Sequence, residues 1–232
     1  MKNDLIFLGS NTNIHWYGDI AKRMGLNLLG MIDDDYHGQG NFQDIPILAT
    51  QQELIDNPSR FNGCKFYCVV NWQPPDIKYE YIVRNNNKRK SFLNIIDTLG
   101  LDEASLISPS AEIGSYNVKL GKGIFIDSFC NIMPNVSIGD RTIILGHSNI
   151  GDCVTIGDNC SLRCKTLING PSTIGNNVYM GMNSSIQRLY LNIADGTFIH
   201  PGIMVLRDTQ PNEVVGLHGK DLRKIYNNIT QG

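Results

Sequence analysis

The chain has 232 residues, which is enough for two domains of roughly 100 residues each. Its 20 basic and 22 acidic side chains nearly balance, which argues against a nucleic-acid or membrane-surface partner. No apolar run approaches the roughly 18 residues that a membrane span needs, and residues 1–5 lack the layout of a signal peptide. We therefore expect a cytoplasmic protein without membrane insertion.

The first hundred residues alternate between strand and helix patterns. Such alternation predicts an α/β domain with a small parallel sheet and crossover helices. Four apolar segments have the pattern of strands: residues 5–8, 28–32, 45–48 and 65–70. Three further segments have the pattern of helices: residues 17–24, 51–55 and 88–99.

A ligand site is predicted at the carboxyl ends of the first two strands, where parallel sheets bind ligands. These ends carry Gly9-Ser10-Asn11 and Asp33-Asp34. Gly9 permits a tight turn, the next helix can offer amides to a phosphate, and an acid about 20 residues later can bind a ribose or base. The full G-x-G-x-x-G pattern is absent, which argues against a nicotinamide dinucleotide. Alternatively, Asp33–Asp35 form a solvated turn. Lys88-Arg89-Lys90 fits either the exposed start of a helix or a diphosphate contact.

The second half of the chain carries a period of six residues, which neither an α-helix nor a flat strand produces. A second register, two residues earlier in each repeat, holds small or β-branched side chains. Glycine follows the aliphatic position in half of the repeats, where a corner tolerates no bulk. This hexapeptide repeat predicts a β-helix of stacked triangular coils with one buried apolar column. The aliphatic residues are Leu120, Ile126, Ile132, Ile138, Ile144, Ile150, Ile156, Leu162, Ile168, Ile174, Met180 and Ile186.

The repeat extends at both ends, and two of its steps are irregular. The steps from Ile113 to Leu120 and from Ile186 to Ile193 span seven residues, so we expect a one-residue bulge in each. The further aliphatic positions are Ile107 and Ile113 before the stretch, and Ile193, Ile199 and Val205 after it.

The six cysteines include no C-x-x-C pair, so we expect neither a metal site nor a disulfide. Cys130 and Cys160 occupy the small inward register and are predicted core residues. Residues 221–232 carry apolar side chains at helical spacing and are predicted to cap the end of the β-helix.

An α/β half joined to a hexapeptide β-helix through a link such as Leu106–Ala111 resembles the bacterial sugar acetyltransferases. This family includes sialic-acid O-acetyltransferases and the N-acetyltransferases of 4-amino-sugar nucleotides, and the resemblance covers nearly the whole chain. It implies a Rossmann-like α/β domain at residues 1–104, an all-β left-handed parallel β-helix at 105–208, and a cap with a short C-terminal helix at 209–232.

The resemblance also implies partners for each half. The family forms homotrimers of parallel prisms, with acetyl-CoA in the groove between neighbouring prisms and a nucleotide-linked amino sugar held partly by the N-terminal half. Asp33 and Asp34 match the acidic pair that contacts the nucleobase. Acetyl-CoA is a co-substrate in this family, and no metal is implied.

Several segments of the β-helix match the acetyl-CoA groove of the family. They are Gly170 and the run Gly181-Met182-Asn183-Ser184. The glycine-rich segment of the family near the last coil is replaced by His200-Pro201-Gly202. His200 and Gly202 therefore become candidates for contact with the coenzyme.

The catalytic histidine of the family is missing from its usual position. A gap-free alignment over residues 143–186 places Asp152 there, and Ser161 at the position of a second family histidine. Acetyl transfer needs a proton acceptor and a donor for the developing oxyanion. His147, the histidine inside the unbroken repeat, is the first candidate for the base, and Asp152 is the second, as a weak base or amine-orienting group. The alternative for His147 is an exposed corner residue without a catalytic role.

These observations favour an acetyl-CoA-dependent N-acetyltransferase of a nucleotide-linked amino sugar in surface-glycan biosynthesis. A sugar amine can be partly neutral before it reacts, so it depends less on a general base than a sugar hydroxyl does. Two alternatives remain. One is a trimeric binding or assembly protein without catalysis, and the other is a sugar O-acetyltransferase or a transferase that uses another acyl donor.

Overall fold

The structure is a computed structural model that describes residues 3–71 and 80–216. These residues form two compact units. The N-terminal unit comprises residues 3–111 with 121–128, and the repeat unit comprises residues 112–120 with 129–216. The predicted C-terminal helix at 221–232 lies outside the described residues.

Six strands form the sheet of the N-terminal unit: β1 (Asp4–Leu8), β2 (Asn27–Ile32), β3 (Asn41–Phe42), β4 (Ile45–Ala49), β5 (Lys65–Cys68) and β6 (Asp102–Glu103). Their order across the sheet is β3-β4-β2-β1-β5-β6. All neighbouring strands are parallel except β3 and β4, which form an antiparallel pair. The predicted parallel sheet is therefore present, with β1 in its interior.

The helices of this unit are α1 (Ile14–Arg23), α2 (Gln51–Asp56) and α3 (Glu80–Leu99), and a 3-10 turn covers Pro58–Phe61. The buried face of α1 includes Tyr17, whose ring lies 4.8 Å from that of Phe125. α2 begins with a capping box between Thr50 and Glu53. The buried Phe92 of α3 joins the core that lies under β1 and β5.

The predicted helices of the N-terminal unit are present, but two of them begin earlier than the pattern indicates. α1 begins at Ile14 rather than at residue 17. α3 begins at Glu80, eight residues before the predicted start. The run Asn85-Asn86-Asn87 has low helix propensity, which conceals the first turns of α3 in the sequence.

The hexapeptide repeats form short strands, one per repeat. β7 and β10 pair with each other within the N-terminal unit, and the other strands belong to the repeat unit. In chain order they are β7 (Leu106–Ile107), β8 (Glu112–Ile113), β9 (Lys119–Leu120), β10 (Phe125–Ile126), β11 (Asn131–Ile132), β12 (Ser137–Ile138), β13 (Ile143–Ile144), β14 (Asn149–Ile150), β15 (Val154–Ile156), β16 (Ser161–Leu162), β17 (Leu167–Ile168), β18 (Ser172–Ile174), β19 (Tyr179–Met180), β20 (Ser185–Ile186), β21 (Asn192–Ile193), β22 (Phe198–Ile199), β23 (Met204–Val205) and β24 (Val214–Val215).

Parallel strands stack into three faces in the repeat unit. Face one holds β8, β11, β14, β17, β20 and β23, and face two holds β9, β12, β15, β18 and β21. Face three holds β13, β16, β19, β22 and β24. Paired residues are normally 18 apart in sequence, as Ser137 and Thr155 are. Across the two irregular steps they are 19 apart, which confirms both predicted bulges; the pairs are Ile113 with Ile132 and Ile174 with Ile193.

The two inward registers of the repeat form the core of this unit. From Ile132 to Ile186, the aliphatic residues are at most 3% exposed, and from Cys130 to Ser184 the small register is at most 5% exposed. Cys160 lies in this core, and burial raises the pKa of its thiol to about 12. The predicted apolar column is confirmed.

The corners of the coils use left-handed backbone conformations. The residue three places after the aliphatic position has a φ between 52° and 61° at most corners from Phe129 to Asn183. The glycines directly after the aliphatic position serve a different purpose, because they allow adjacent coils to touch. A Cβ on Gly139 would lie 2.6 Å from the carbonyl carbon of Gly157 in the next coil.

Candidate functional site

The N-terminal candidate site lies at the carboxyl ends of β1 and β2, as the sequence predicts. Gly9 follows β1 with a φ of 83°, and a Cβ there would meet the Val70 side chain at 2.3 Å. The Gly9 amide donates to the Ile32 carbonyl at the end of β2, over 2.9 Å. Glycine is required here both for its backbone conformation and for close packing.

Lys88 of α3 joins the two strand ends. Its Nζ donates to both carboxylate oxygens of Asp33, at 2.8 and 2.7 Å, to Asp35 at 2.7 Å, and to the Ser10 hydroxyl at 3.4 Å. The Asp33 side chain is fully buried and that of Lys88 is 11% exposed. Asp33 is therefore not part of a solvated turn, and Lys88 is not on an exposed helix face.

The neighbouring acids bind other partners. Asp34 is exposed, and its carboxylate accepts hydrogen bonds from the backbone and the side chain of Gln51 at the start of α2. Asp35 accepts from Lys88 and from Arg84, and these contacts lower the pKa of its carboxyl group, the bond from Lys88 contributing most. Asp33 and Asp35 thus belong to an ion-pair cluster with Lys88 and Arg84, and Asp34 is held by the neutral Gln51.

Asn11 anchors the chain between β1 and α1. Its side-chain amide donates to the Val69 carbonyl over 2.9 Å, and its side-chain oxygen accepts from the Asn13 amide over 2.9 Å. Asn13, at the N-cap of α1, makes no side-chain capping bond, and the first turn of this helix contains no acidic residue. The start of α1 is therefore electrostatically suited to an anionic group.

In the repeat unit, the predicted residues lie on two edges. We define the first edge as the corners between face three and face one; its left-handed residues are Phe129, His147, Lys165, Asn183 and Gly202. The amides of the last three donate to carbonyls of the preceding corner, at 2.8 to 3.1 Å. Because strands in a sheet stack about 4.8 Å apart, these corners form one regular column.

His147 lies at an exposed corner of the first edge, as predicted. Its φ is 61°, and its ring stacks on that of Phe129, one coil earlier, with centroids 5.1 Å apart and ring planes 21° apart. An exposed imidazole can accept a proton from a substrate that approaches this edge.

The first edge also carries most of the predicted acetyl-CoA residues. Asn183 and Gly202 are exposed, and His200 is half-buried with its ring edge-on to Phe198 at 4.7 Å. Ser184 is buried, and its hydroxyl donates to the Gly181 carbonyl over 2.7 Å. The Ser184 side chain therefore faces the core of its coil.

Asp152 and Gly170 lie on the second edge, which we define as the corners between face one and face two. Gly170 is required there, because a Cβ would lie 1.6 Å from the Asp152 carbonyl oxygen. The exposed Asp152 carboxylate accepts from Asn135 at 3.1 Å, and its proximity raises the pKa of the Cys153 thiol. β14 lies between His147 and Asp152, so one chain does not bring these two residues together.

Sequence reasoning missed the pairing of Lys88 with Asp33 and the contact of Phe129 with His147. The pairing of Lys88 with Asp33 depends on how α3 lies over the sheet, and no local pattern reveals that. Phe129 had a weak signal, because it falls three places after Ile126, where asparagine or glycine is the commonest choice among the repeats.

Within the described residues, no group of three or more His, Cys, Asp or Glu side chains is arranged to hold a metal ion. Among the helices within residues 3–71 and 80–216, none has the length and apolar character that crossing a bilayer requires.

Neither protein-family models nor curated proteins match the chain. Solved structures do match the chain. A mutant of perosamine N-acetyltransferase from Caulobacter crescentus, in complex with CoA and GDP-perosamine, has a TM-score of 0.78 and 17% identity, over 92% of this chain and 93% of that chain. WeeI from Acinetobacter baumannii AYE has a TM-score of 0.72 and 18% identity, over 92% and 97%. The chain has the fold of bacterial sugar acetyltransferases.

A third structure, the acetyltransferase domain of PglB from Neisseria gonorrhoeae FA1090, has a TM-score of 0.53 and 17% identity, over 92% of this chain and 97% of that domain. The stacked parallel strands of the repeat unit fit the left-handed β-helix of an acetyltransferase. At these identities the likeness establishes the fold alone.

Proposed function

We propose that the chain is an acetyl-CoA-dependent N-acetyltransferase that acts on a nucleotide-linked amino sugar. One observation carries the proposal: the fold matches, over 92% of the chain, that of an N-acetyltransferase in complex with CoA and GDP-perosamine. The exposed His147 and the ion-pair cluster around Asp33 and Lys88 supply candidate chemistry for the two substrates.

The nucleotide sugar is assigned to the N-terminal unit, in a Rossmann-like domain at residues 1–104. The backbone amides of Ser10 and Asn11 can bind a diphosphate beside the start of α1, whereas the Gly9 amide already donates to the Ile32 carbonyl. Asp34 is exposed, so its carboxylate can accept further hydrogen bonds from the ribose or the base in addition to those from Gln51. Asp33 acts differently from the sequence-based expectation: because Lys88 occupies both of its oxygens, it shapes the loop rather than binding the ligand directly.

Acetyl-CoA is assigned to the first edge of the β-helix, within a domain at residues 105–208 that precedes the cap at 209–232. The exposed Asn183 and Gly202 and the half-buried His200 offer polar contacts, and Gly181 and Gly170 let adjacent coils pack closely at the two edges. Ser184 contributes through its backbone, because its hydroxyl is already bonded inside the coil.

The reaction begins when the neutral sugar amine attacks the thioester carbonyl carbon. A C–N bond forms and the carbonyl electrons move onto oxygen. When the tetrahedral intermediate collapses, the C–S bond breaks and CoA leaves as a thiolate. The nitrogen proton passes to the His147 imidazole and from there to the thiolate. General-base assistance of this kind contributes about 10²–10⁴ in rate.

The predicted site residues on two edges favour a homotrimer. If neighbouring prisms face each other across a groove, the first edge of one chain can meet the second edge of the next. His147 of one subunit and Asp152 of its neighbour would then share a site, with Asp152 orienting the amine. We place this assembly in the cytoplasm.

One observation favours the non-catalytic alternative. The positions of the two family histidines hold Asp152 and Ser161, and Ser161 is buried at 1% exposure, so its hydroxyl cannot replace an exposed imidazole. The alternative predicts a chain that binds acetyl-CoA or a nucleotide but does not turn it over.

The experiment is a measurement of CoA thiol release from acetyl-CoA with a panel of nucleotide-linked 3-amino and 4-amino sugars and sialic acid. Release with an amine acceptor supports the proposal, and His147→Ala should then reduce turnover at least tenfold. Release with sialic acid alone would indicate O-acetylation. Binding without release for any acceptor would favour the non-catalytic protein or another acyl donor.

A further inference from the structure

Phe129 combines two features that do not stabilise a folded chain. Its side chain is 63% exposed, and its backbone is left-handed, with a φ of 60°. Bulky residues rarely adopt this conformation, whereas glycine and asparagine adopt it readily. Asparagine or glycine does occupy most left-handed corners of the repeats: Asn117, Gly123, Asn135, Asn159, Asn177, Asn183, Gly196, Gly202 and Asn212.

The phenyl ring of Phe129 stacks on the exposed imidazole of His147. The centroid distance of 5.1 Å and the interplanar angle of 21° are those of a stacked aromatic pair. The stack covers one face of the imidazole and fixes the plane of its ring.

We propose that Phe129 is a positioning residue that holds the His147 imidazole in the orientation used for acetyl transfer. This inference rests on the proposed function, in which His147 is the base. Other bulky corners, Lys165 and Tyr190 among them, share the left-handed backbone, so the stack on His147 is the observation that points to a function for Phe129. Arg163 and Lys165 are the charged residues at the corner that follows that of His147, and Asp127 lies at the corner of Phe129. Among the described residues no carboxylate forms an ion pair with His147.

The central variant is Phe129→Asn, because asparagine suits the left-handed corner. We expect its melting temperature to equal or exceed that of the unmodified chain, while kcat falls at least about threefold and the KM for acetyl-CoA changes little. Phe129→Tyr keeps the stacked ring and should retain activity within about twofold. A parallel loss of melting temperature and activity would mean a structural role and overturn the proposal.

A double-mutant cycle tests whether Phe129 acts through His147. In a His147→Gln background, Phe129→Asn should cause no further loss of kcat, because the group that it positions is gone. If the two losses instead multiply, Phe129 acts independently of His147 and the inference is wrong.

A third measurement does not require activity, so it separates this inference from the proposed function. In NMR relaxation measurements on the full chain, with the His147 resonance assigned from His147→Gln, the imidazole should show the restricted motion of a stacked ring, and Phe129→Asn should make that ring more mobile. Equal ring mobility in the two proteins would overturn the inference even if acetyl transfer is confirmed. If no acceptor releases CoA but the ring is restricted by Phe129, the stack is established and the proposed function alone fails.

Discussion

At the scale of single residues, charge pairing dominates the N-terminal candidate site. Asp33 is a buried carboxylate, and Lys88 donates to both of its oxygens. A buried charge is tolerable only when it is paired, and the removal of one partner leaves the other uncompensated. Lys88 therefore stabilises the buried Asp33 carboxylate in addition to any contact with a ligand.

We expect Lys88→Ala to lower the free energy of unfolding of the N-terminal unit by about 3 kcal/mol, because it leaves the Asp33 carboxylate buried without its cation. The measurement is urea denaturation followed by tryptophan fluorescence. Lys90→Ala is the matched control, since Lys90 is exposed on the same helix and should change the value by less than about 0.5 kcal/mol. Equal effects of the two variants would show that the Asp33 pairing contributes nothing.

The ion pairs of Asp35 should make the stability of the protein depend on pH. The contacts of Asp35 with Lys88 and Arg84 lower the pKa of the carboxyl group below the usual 3.8 in the folded state. A lowered folded-state pKa adds stability above the unfolded value, and this stability is lost as the pH falls through the folded value. Asp35→Asn should therefore be less stable than the unmodified chain at pH 7, with a difference that shrinks below about pH 4. The denaturation midpoints of the variant and the unmodified chain, measured at pH 7 and below about pH 4, give this difference in stability. If the difference is the same at both pH values, an ionised Asp35 is not its source.

At the scale of the repeat element, backbone conformation limits stability at the corners. Lys165 has a φ of 60°, which costs about 1–2 kcal/mol for an ordinary L-residue and less for asparagine. Lys165→Asn should raise the free energy of unfolding by about 0.5–1 kcal/mol in urea denaturation. Lys119→Asn is the control, because Lys119 lies in a strand, where asparagine is disfavoured. If Lys119→Asn raised the free energy of unfolding as much as Lys165→Asn does, the left-handed backbone of Lys165 would not be the cause of the gain.

The repeat unit also shows how much of the fold the sequence could predict. The six-residue period determines the coils, the buried column and both bulges, because each strand must place its aliphatic side chain inward at every turn. It does not show that the residue three places after the aliphatic position is left-handed, although the frequent asparagine there is a physical trace of it. The start of α3 and the Lys88–Asp33 pair depend on long-range packing, which no local window contains.

At the scale of the whole molecule, the two edges of the β-helix carry the argument for an assembly. His147 lies on the first edge and Asp152 on the second, with β14 between them. A site that uses both residues must therefore draw them from different copies of the chain. The proposed homotrimer satisfies this condition, and sedimentation should then give about three times the 25.9 kDa of one chain.

Mixed trimers test the shared site directly. His147→Ala and Asp152→Lys should each reduce acetyl transfer when present alone. If each site uses the first edge of one chain and the second edge of the next, equal co-expression leaves about a quarter of all sites with both residues intact. Activity should thus recover to about a quarter of the unmodified value, because every mixed trimer contains an interface in which neither altered residue takes part. Mixed trimers that sediment normally but stay inactive would place the whole site within one chain.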